Sequence, residues 1–204
     1  MPLVSIVSSY NKSCKDISIL MGYLNGSTNL ESKYQYLVSE VILLRLFSIL
    51  ETAISQIALK LACGADYENG KPSIRLVNCS NITDAEVKMM SFGRSKNKTH
   101  LKWTNDKFIK ESIKYVLDVN DSFFVNIQNN KSIIEEMRKV RNHVAHKTSG
   151  TAKDCYDILY LRYNSKKLRL SVGAFLCSNI RNNPSNIERY LLSAPIILKD
   201  LCKG

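Results

Sequence analysis

The stretch Val41-Ile42-Leu43-Leu44-Arg45-Leu46-Phe47-Ser48-Ile49-Leu50-Glu51-Thr52-Ala53-Ile54-Ser55-Gln56-Ile57-Ala58-Leu59-Lys60-Leu61-Ala62 decides the fold class. It contains neither Gly nor Pro and is too long to be one strand. On a helical wheel, Arg45, Ser48, Thr52, Ser55 and Gln56 fall in one strip about 100° wide. Nearly everything else around the wheel is apolar. A helix buried on most sides is the centre of a bundle, and its thin polar strip lines a cleft or a subunit interface. The periodicity predicts this helix over about Glu31–Leu61. The charges of Arg45, Glu51 and Lys60 exclude a membrane span.

Upstream, Leu3, Val7, Tyr10, Cys14, Ile17, Met21 and Leu24 recur in steps of four and three, predicting a helix closed by Asn25-Gly26. Downstream, Gly64–Asn81 reads as a loop with Asn69-Gly70-Lys71-Pro72 as its turn. Thr83-Asp84-Ala85-Glu86 reads as a capping box opening a short helix to Phe92. Arg94–Lys102 reads as a polar, basic loop. One long helix is expected after Thr104, with Ile109, Ile113, Val116, Asn120, Phe123 and Ile127 on one face, broken at Asn129-Asn130. The next spans about Lys131–Lys147 and ends at Thr148-Ser149-Gly150. Beyond it, Asp154–Tyr163 is compatible with helix and Leu168–Cys177 with a short extended pair. Pro184 opens a last helix with Ile187, Leu191, Ala194 and Leu198 toward the core. The expected fold class is all-α or mainly α, an antiparallel helical bundle.

The composition agrees. Eight glycines and four prolines in 204 residues, with 45% hydrophobic residues, exclude collagen-like, linker-like and disordered chains. A chain of this length buries a core without disulfides or metal. Its six cysteines form no Cys-x-x-Cys pair, and only three histidines accompany them, so no metal and no cofactor are expected. Met1-Pro2-Leu3-Val4-Ser5 lacks the basic and apolar regions of a secretory signal. The reading is a soluble, cytoplasmic protein with no membrane partner, in which matches such as Asn81-Ile82-Thr83 carry no glycosylation meaning. There are 29 Lys and Arg against 18 Asp and Glu, giving a net charge of +11 that points to a polyanionic partner.

One constellation carries chemistry. Ile133-Ile134-Glu135-Glu136-Met137-Arg138-Lys139-Val140-Arg141-Asn142-His143-Val144-Ala145-His146 is amphipathic. With Ile133 at zero, Met137 lies near 40°, Val140 near −20° and Val144 near 20°, which makes that stripe the core. Asn142 and His146 lie at about 180–220°, opposite it, and Arg141 on the flank near 80°. Arg141-Asn142-x-x-Ala145-His146 at a helix end resembles the signature of the HEPN superfamily, many of whose members are metal-independent ribonucleases. Leu46-Phe47-Ser48-Ile49-Leu50-Glu51 is similar to the Ser-x-Leu-Glu stretch of that family's earlier core helix. The resemblance covers roughly 38–147, and residues after Gly150 do not contribute to it.

The resemblance implies a HEPN-like bundle over residues 1–150, with 151–204 an extension packed on the same domain. It also implies an RNA substrate cut by 2′-OH attack, leaving 2′,3′-cyclic phosphate and 5′-OH ends. A homodimer would bring Arg141 and His146 of both copies to one groove on the two-fold axis. His moves protons without a metal, Arg holds phosphate oxygens with a planar fork, and Asn142 orients His146 from one turn away. Glu51 is either a supporting group there or an ordinary helix acid. Arg138 and His143 are read on the solvent side of the helix, with His143 within reach of substrate. Family members serve as bacterial toxins or antiviral defence effectors, which implies an antitoxin or regulatory protein as a further partner. The alternative is a non-catalytic HEPN module that binds RNA, nucleotide or a partner protein.

Arg94, Lys96, Lys98, Lys102, Lys107 and Lys110 form a basic run opposed only by Asp106, either an RNA-binding rim or a solvated loop. Lys147 beside the motif joins the RNA-binding candidates. Trp103 either stacks on a base or anchors the loop in the core.

Overall fold

The computed structural model describes residues 5–165, 170–180 and 183–204. Among these the chain forms nine α-helices and no strand, so the protein is all-α. They are α1 (Ile6–Gly26), α2 (Ser32–Ala62), α3 (Ile82–Ser91), α4 (Asp106–Ile113), α5 (Ser122–Asn129), α6 (Lys131–His146), α7 (Ser149–Tyr163), α8 (Val172–Cys177) and α9 (Asn186–Lys203). Two compact units divide the chain. The first holds the N-terminal residues to Cys14, Leu50–Ile134 and Pro195–Gly204; the second holds Lys15–Ile49 and Glu135–Ala194. Residues after Gly150 therefore contribute to both. No helix among the described residues is long and apolar enough to cross a membrane.

In the first unit, Leu50, Ile54, Ile57, Ala58 and Leu61 of α2 are buried together with Met89, Ile109, Ile113, Phe123, Ile127 and Leu198. Burying each large apolar side chain contributes about 1.5–3 kcal/mol. Among the described residues, no buried side-chain polar atom of this unit lacks a hydrogen-bond partner. The Asp121 carboxylate, fully buried, accepts the Tyr67 hydroxyl proton and the amides of Phe123 (2.9 Å) and Ile74 (2.7 Å). Burial and that carboxylate raise the Tyr67 hydroxyl far above its ordinary pKa. Lys60 of α2 is also buried, and its ammonium donates to the Ser5 carbonyl and the Ser8 hydroxyl, each at 2.8 Å.

This polar hub explains why the single helix expected after Thr104 is two. The apolar spacing runs on through Val116 and Phe123, but the Leu76 amide donates to the Val116 carbonyl and the Asp118 amide to the Ile74 carbonyl. Those pairings pull the chain extended after α4, and Asp121 then caps α5. The cap of α3 also differs from the expected box. Asn81 accepts from the Asp84 amide, and the Asp84 carboxylate reaches back to the Ser80 amide and hydroxyl, so Thr83 lies inside the helix.

In the second unit, Ile17, Leu20, Leu24, Leu43, Leu46, Phe47, Met137, Val140, Phe175 and Tyr190 are buried. Asn186, 2% exposed, donates to the carbonyls of Phe175 and Ser178 and to the Tyr163 hydroxyl, tying α7, α8 and α9 together. A Cβ on Gly173 would stand 2.5 Å from Cβ of Tyr36 and 3.0 Å from its Cα, so glycine is what allows α8 to lie against α2. The extended pair expected in Leu168–Cys177 is not formed by its described part: Ser171 caps α8 instead, and Leu168 lies outside the described residues. The seam of α1 is rotated by about one position. Ile6, Ser13, Ile17, Leu20 and Leu24 are buried, whereas Val7, Tyr10, Cys14 and Met21 are half-buried and Leu3 lies outside the described residues. Of the polar strip of α2, Arg45, Ser48 and Thr52 are exposed and Ser55 and Gln56 half-buried.

Candidate functional site

The α6 helix presents the motif from its last turn. Its buried line is Ile134, Met137 and Val140. Ile133 and Val144, expected in that stripe, are only half-buried. The buried line is thus turned toward Arg141, whose side chain is half-buried as well. Its guanidinium lies 5.6 Å from the Phe47 ring centroid, a cation–π contact, and Nη1 donates to Oδ1 of Asn142 at 3.2 Å. Its Nε is buried with no acceptor. Asn142 is half-buried; Ala145 and His146 are exposed, and His146 is the last residue of the helix. Lys147 follows in the left-handed region at φ 48° and is exposed. That backbone turn separates α6 from the Thr148 cap of α7.

The other side of α6 is occupied. Arg138, expected in solvent, is half-buried and grips Glu135 with Nε at 2.8 Å and Nη2 at 2.5 Å. This fork holds the Glu135 carboxyl below the usual carboxylate range. His143, also expected in solvent, is half-buried, with Nδ1 3.2 Å from the Thr151 hydroxyl in the first turn of α7. Arg138 is thus engaged within α6 itself, and His143 by the first turn of α7. Glu51 is half-buried in α2 and belongs to the first unit.

A further polar group, Glu136–Arg189–Tyr190, carries no sequence signal. Glu136 accepts from the Tyr190 hydroxyl at 2.8 Å and from Nη2 of Arg189, whose own Nε is buried without an acceptor. Tyr190 is fully buried, and that burial beside the Glu136 carboxylate raises its hydroxyl well above the ordinary value. Arg189 falls beside the apolar line Ile187–Leu191 of α9, and nothing in its spacing marks it.

The basic run divides into structural and projecting cations. Arg94 donates to the carbonyls of Met89 (2.8 Å), Glu111 (2.7 Å) and Ser112 (3.0 Å), and Lys98 to that of Glu111 (3.0 Å). Both therefore fasten the loop to the end of α4. Lys96, Lys102, Lys107 and Lys110 are exposed; the Lys102 ammonium lies 5.1 Å from the Phe108 ring centroid. Trp103 is half-buried, and His100 is exposed with Nδ1 3.1 Å from the Thr99 hydroxyl.

Among the described residues no group of three His, Cys, Asp or Glu side chains is placed to hold a metal ion, and all six cysteines are free thiols. No protein-family profile matches the chain, and neither does any curated protein sequence or solved structure at a significant level.

Proposed function

We propose that the chain is a metal-independent endoribonuclease working as a homodimer, with Arg141 and His146 of both copies facing one groove. The observation that carries this reading is the end of α6, where an exposed His146, the amide of Asn142 one turn earlier and the half-buried guanidinium of Arg141 share the last two turns. An imidazole, ordinarily titrating near pH 6.5, accepts and returns protons close to neutrality. The 2′-oxygen attacks the adjacent phosphorus as its proton passes to one imidazole. The bond from phosphorus to the 5′-oxygen breaks, and the leaving oxygen takes a proton from the second copy's imidazole. The Arg141 fork stabilises the charge on the equatorial oxygens. Because Asn142 Oδ1 accepts from Arg141, its amide NH2 is the side left to orient His146.

Self-association has support in the second unit. An apolar cleft of about 580 Å3 opens between α1 and α2, and Tyr23, Leu37 and Val41 on its rim are 63%, 59% and 50% exposed. Contiguous exposed apolar surface marks association sites, and a second copy is the occupant that a shared groove requires. A toxin or defence role in the cytoplasm, with an antitoxin or regulatory protein restraining the enzyme, follows from the same reading.

The test is incubation of the purified chain with single-stranded RNA in EDTA. The expected result is cleavage to 2′,3′-cyclic phosphate and 5′-OH ends, abolished by a 2′-deoxy substitution at the cut. Intact RNA, or cleavage unaffected by that substitution, contradicts it. Light scattering should give twice the chain mass. One observation favours a second reading: the packing of Arg141 on Phe47 suits an arginine that serves structure, as in a non-catalytic RNA-binding module, which would bind the same RNA and leave it whole.

A further inference from the structure

Nearly half of the chain's net charge is concentrated in one segment of the first unit. From Arg94 to Lys114 seven Lys and Arg face two acids, a surplus of 7 − 2 = 5 out of 11. Arg94, Lys98 and Lys114 are consumed locally, Lys114 pairing with Glu111 at 3.1 Å. Lys107 and Lys110, one turn apart on α4, are exposed, and their side chains make no hydrogen bond or ion pair within the described residues. They border a cleft of about 390 Å3 between α4 and α5, within the range of small-ligand pockets. The opposite wall is apolar, built from Phe124 and the exposed Val119 and Val125, 48% and 49% accessible. The lining also includes the carboxamides of Gln128 and Asn129, exposed and without side-chain partners among the described residues, and the Asp106 carboxylate.

Open cations on α4, apolar side chains on α5 and unpartnered carboxamides within one cleft match the three parts of a nucleotide. We propose that this cleft is a nucleotide-binding subsite for single-stranded RNA. Lys107 and Lys110 hold a backbone phosphate, and the base lies on Val125 and Phe124. Gln128 and Asn129 meet the base edge, and Asp106 accepts from a ribose hydroxyl or exocyclic amine. A duplex, whose bases are stacked away, offers only its phosphates. This subsite rests on the reading that RNA is the substrate, and it adds residues outside α6 that select single strands.

The test uses the full chain with His146→Ala, so that the probe stays intact, and fluorescence anisotropy with a labelled uridine dodecamer and its abasic counterpart. Lys107→Ala/Lys110→Ala should weaken binding of the dodecamer about tenfold near physiological salt. It should also reduce the slope of log K against log salt by about 1.4, at about 0.7 per lysine. Val125→Ser, a neutral change at an exposed position, should weaken the dodecamer but not the abasic strand. Unchanged affinity in the double-lysine variant overturns the subsite, as does equal binding of the abasic strand by the parent. Wild-type cleavage of the same RNA is assayed in parallel. Cleavage with lysine-independent binding removes the subsite and keeps the ribonuclease reading. Lysine-dependent binding without cleavage does the reverse.

Discussion

Arg94 and Arg141 look alike in the sequence, each a cation near a histidine, but the molecule uses them in opposite ways. Arg94 spends its donors on three carbonyls at the ends of α3 and α4 and stacks on Tyr115, 5.1 Å from the ring centroid. Arg141 has one bond, to its own neighbour Asn142, and a buried Nε that no acceptor meets. A buried N–H left without an acceptor is costly, so Arg141 adds little to stability where Arg94 adds much. Positive charge in a sequence therefore does not measure the charge available to a polyanion; the hydrogen-bond partners do.

That contrast can be broken by substitution. The largest stability loss is expected for Glu136→Ala, which leaves the Arg189 guanidinium and the buried Tyr190 hydroxyl without their shared acceptor. Urea denaturation should show about 3 kcal/mol or more lost, and a loss under about 1 kcal/mol would mean that the pair is not structural. Arg94→Ala should come next, at about 2–3 kcal/mol, since three carbonyls lose a charged donor. RNA cleavage per folded molecule should survive it.

Arg141→Ala should invert that pattern. Its stability change should stay within about 1 kcal/mol, the lost contact with Phe47 being offset by removal of an unpartnered buried N–H. If Arg141→Ala unfolds the chain while Arg94→Ala is silent, the comparison is reversed. The smallest effect concerns Arg138. Its fork depresses the Glu135 pKa, so the stability gained is present above the unfolded carboxyl's value near 4.3 and is lost as pH falls through the folded value. The gap in urea midpoint between wild type and Arg138→Gln should be worth no more than about 0.5–1 kcal/mol at pH 7, because the pair is partly exposed. It should close by pH 3; a gap that persists there would assign Arg138 a role apart from the ion pair.

The long helices were legible because their apolar residues return at helical steps. Glu31–Leu61 against Ser32–Ala62 shows how closely the periodicity marks an end. The core line Ile187, Leu191, Ala194 and Leu198 likewise runs straight through Pro195. The break between α4 and α5 was not legible, since it is made by Ile74, Leu76 and Tyr67, residues about 40–60 positions upstream whose pairing no local pattern encodes. The same holds at the site. The wheel placed His146 outside and Arg141 on the flank, because a helix fixes those angles. It could not foresee that Thr151 would take up His143, that Arg94 would be spent on carbonyls 17 and 18 residues away, or that Arg189 would join Glu136.

The central claim is that the end of α6 cuts RNA. Single-turnover cleavage of single-stranded RNA in EDTA, by wild type, Arg141→Ala and His146→Ala confirmed as folded, tests it most directly. Cleavage should resist the chelator in wild type and fall by at least about a hundredfold in each variant. Cleavage that persists at the wild-type rate in folded His146→Ala would contradict it.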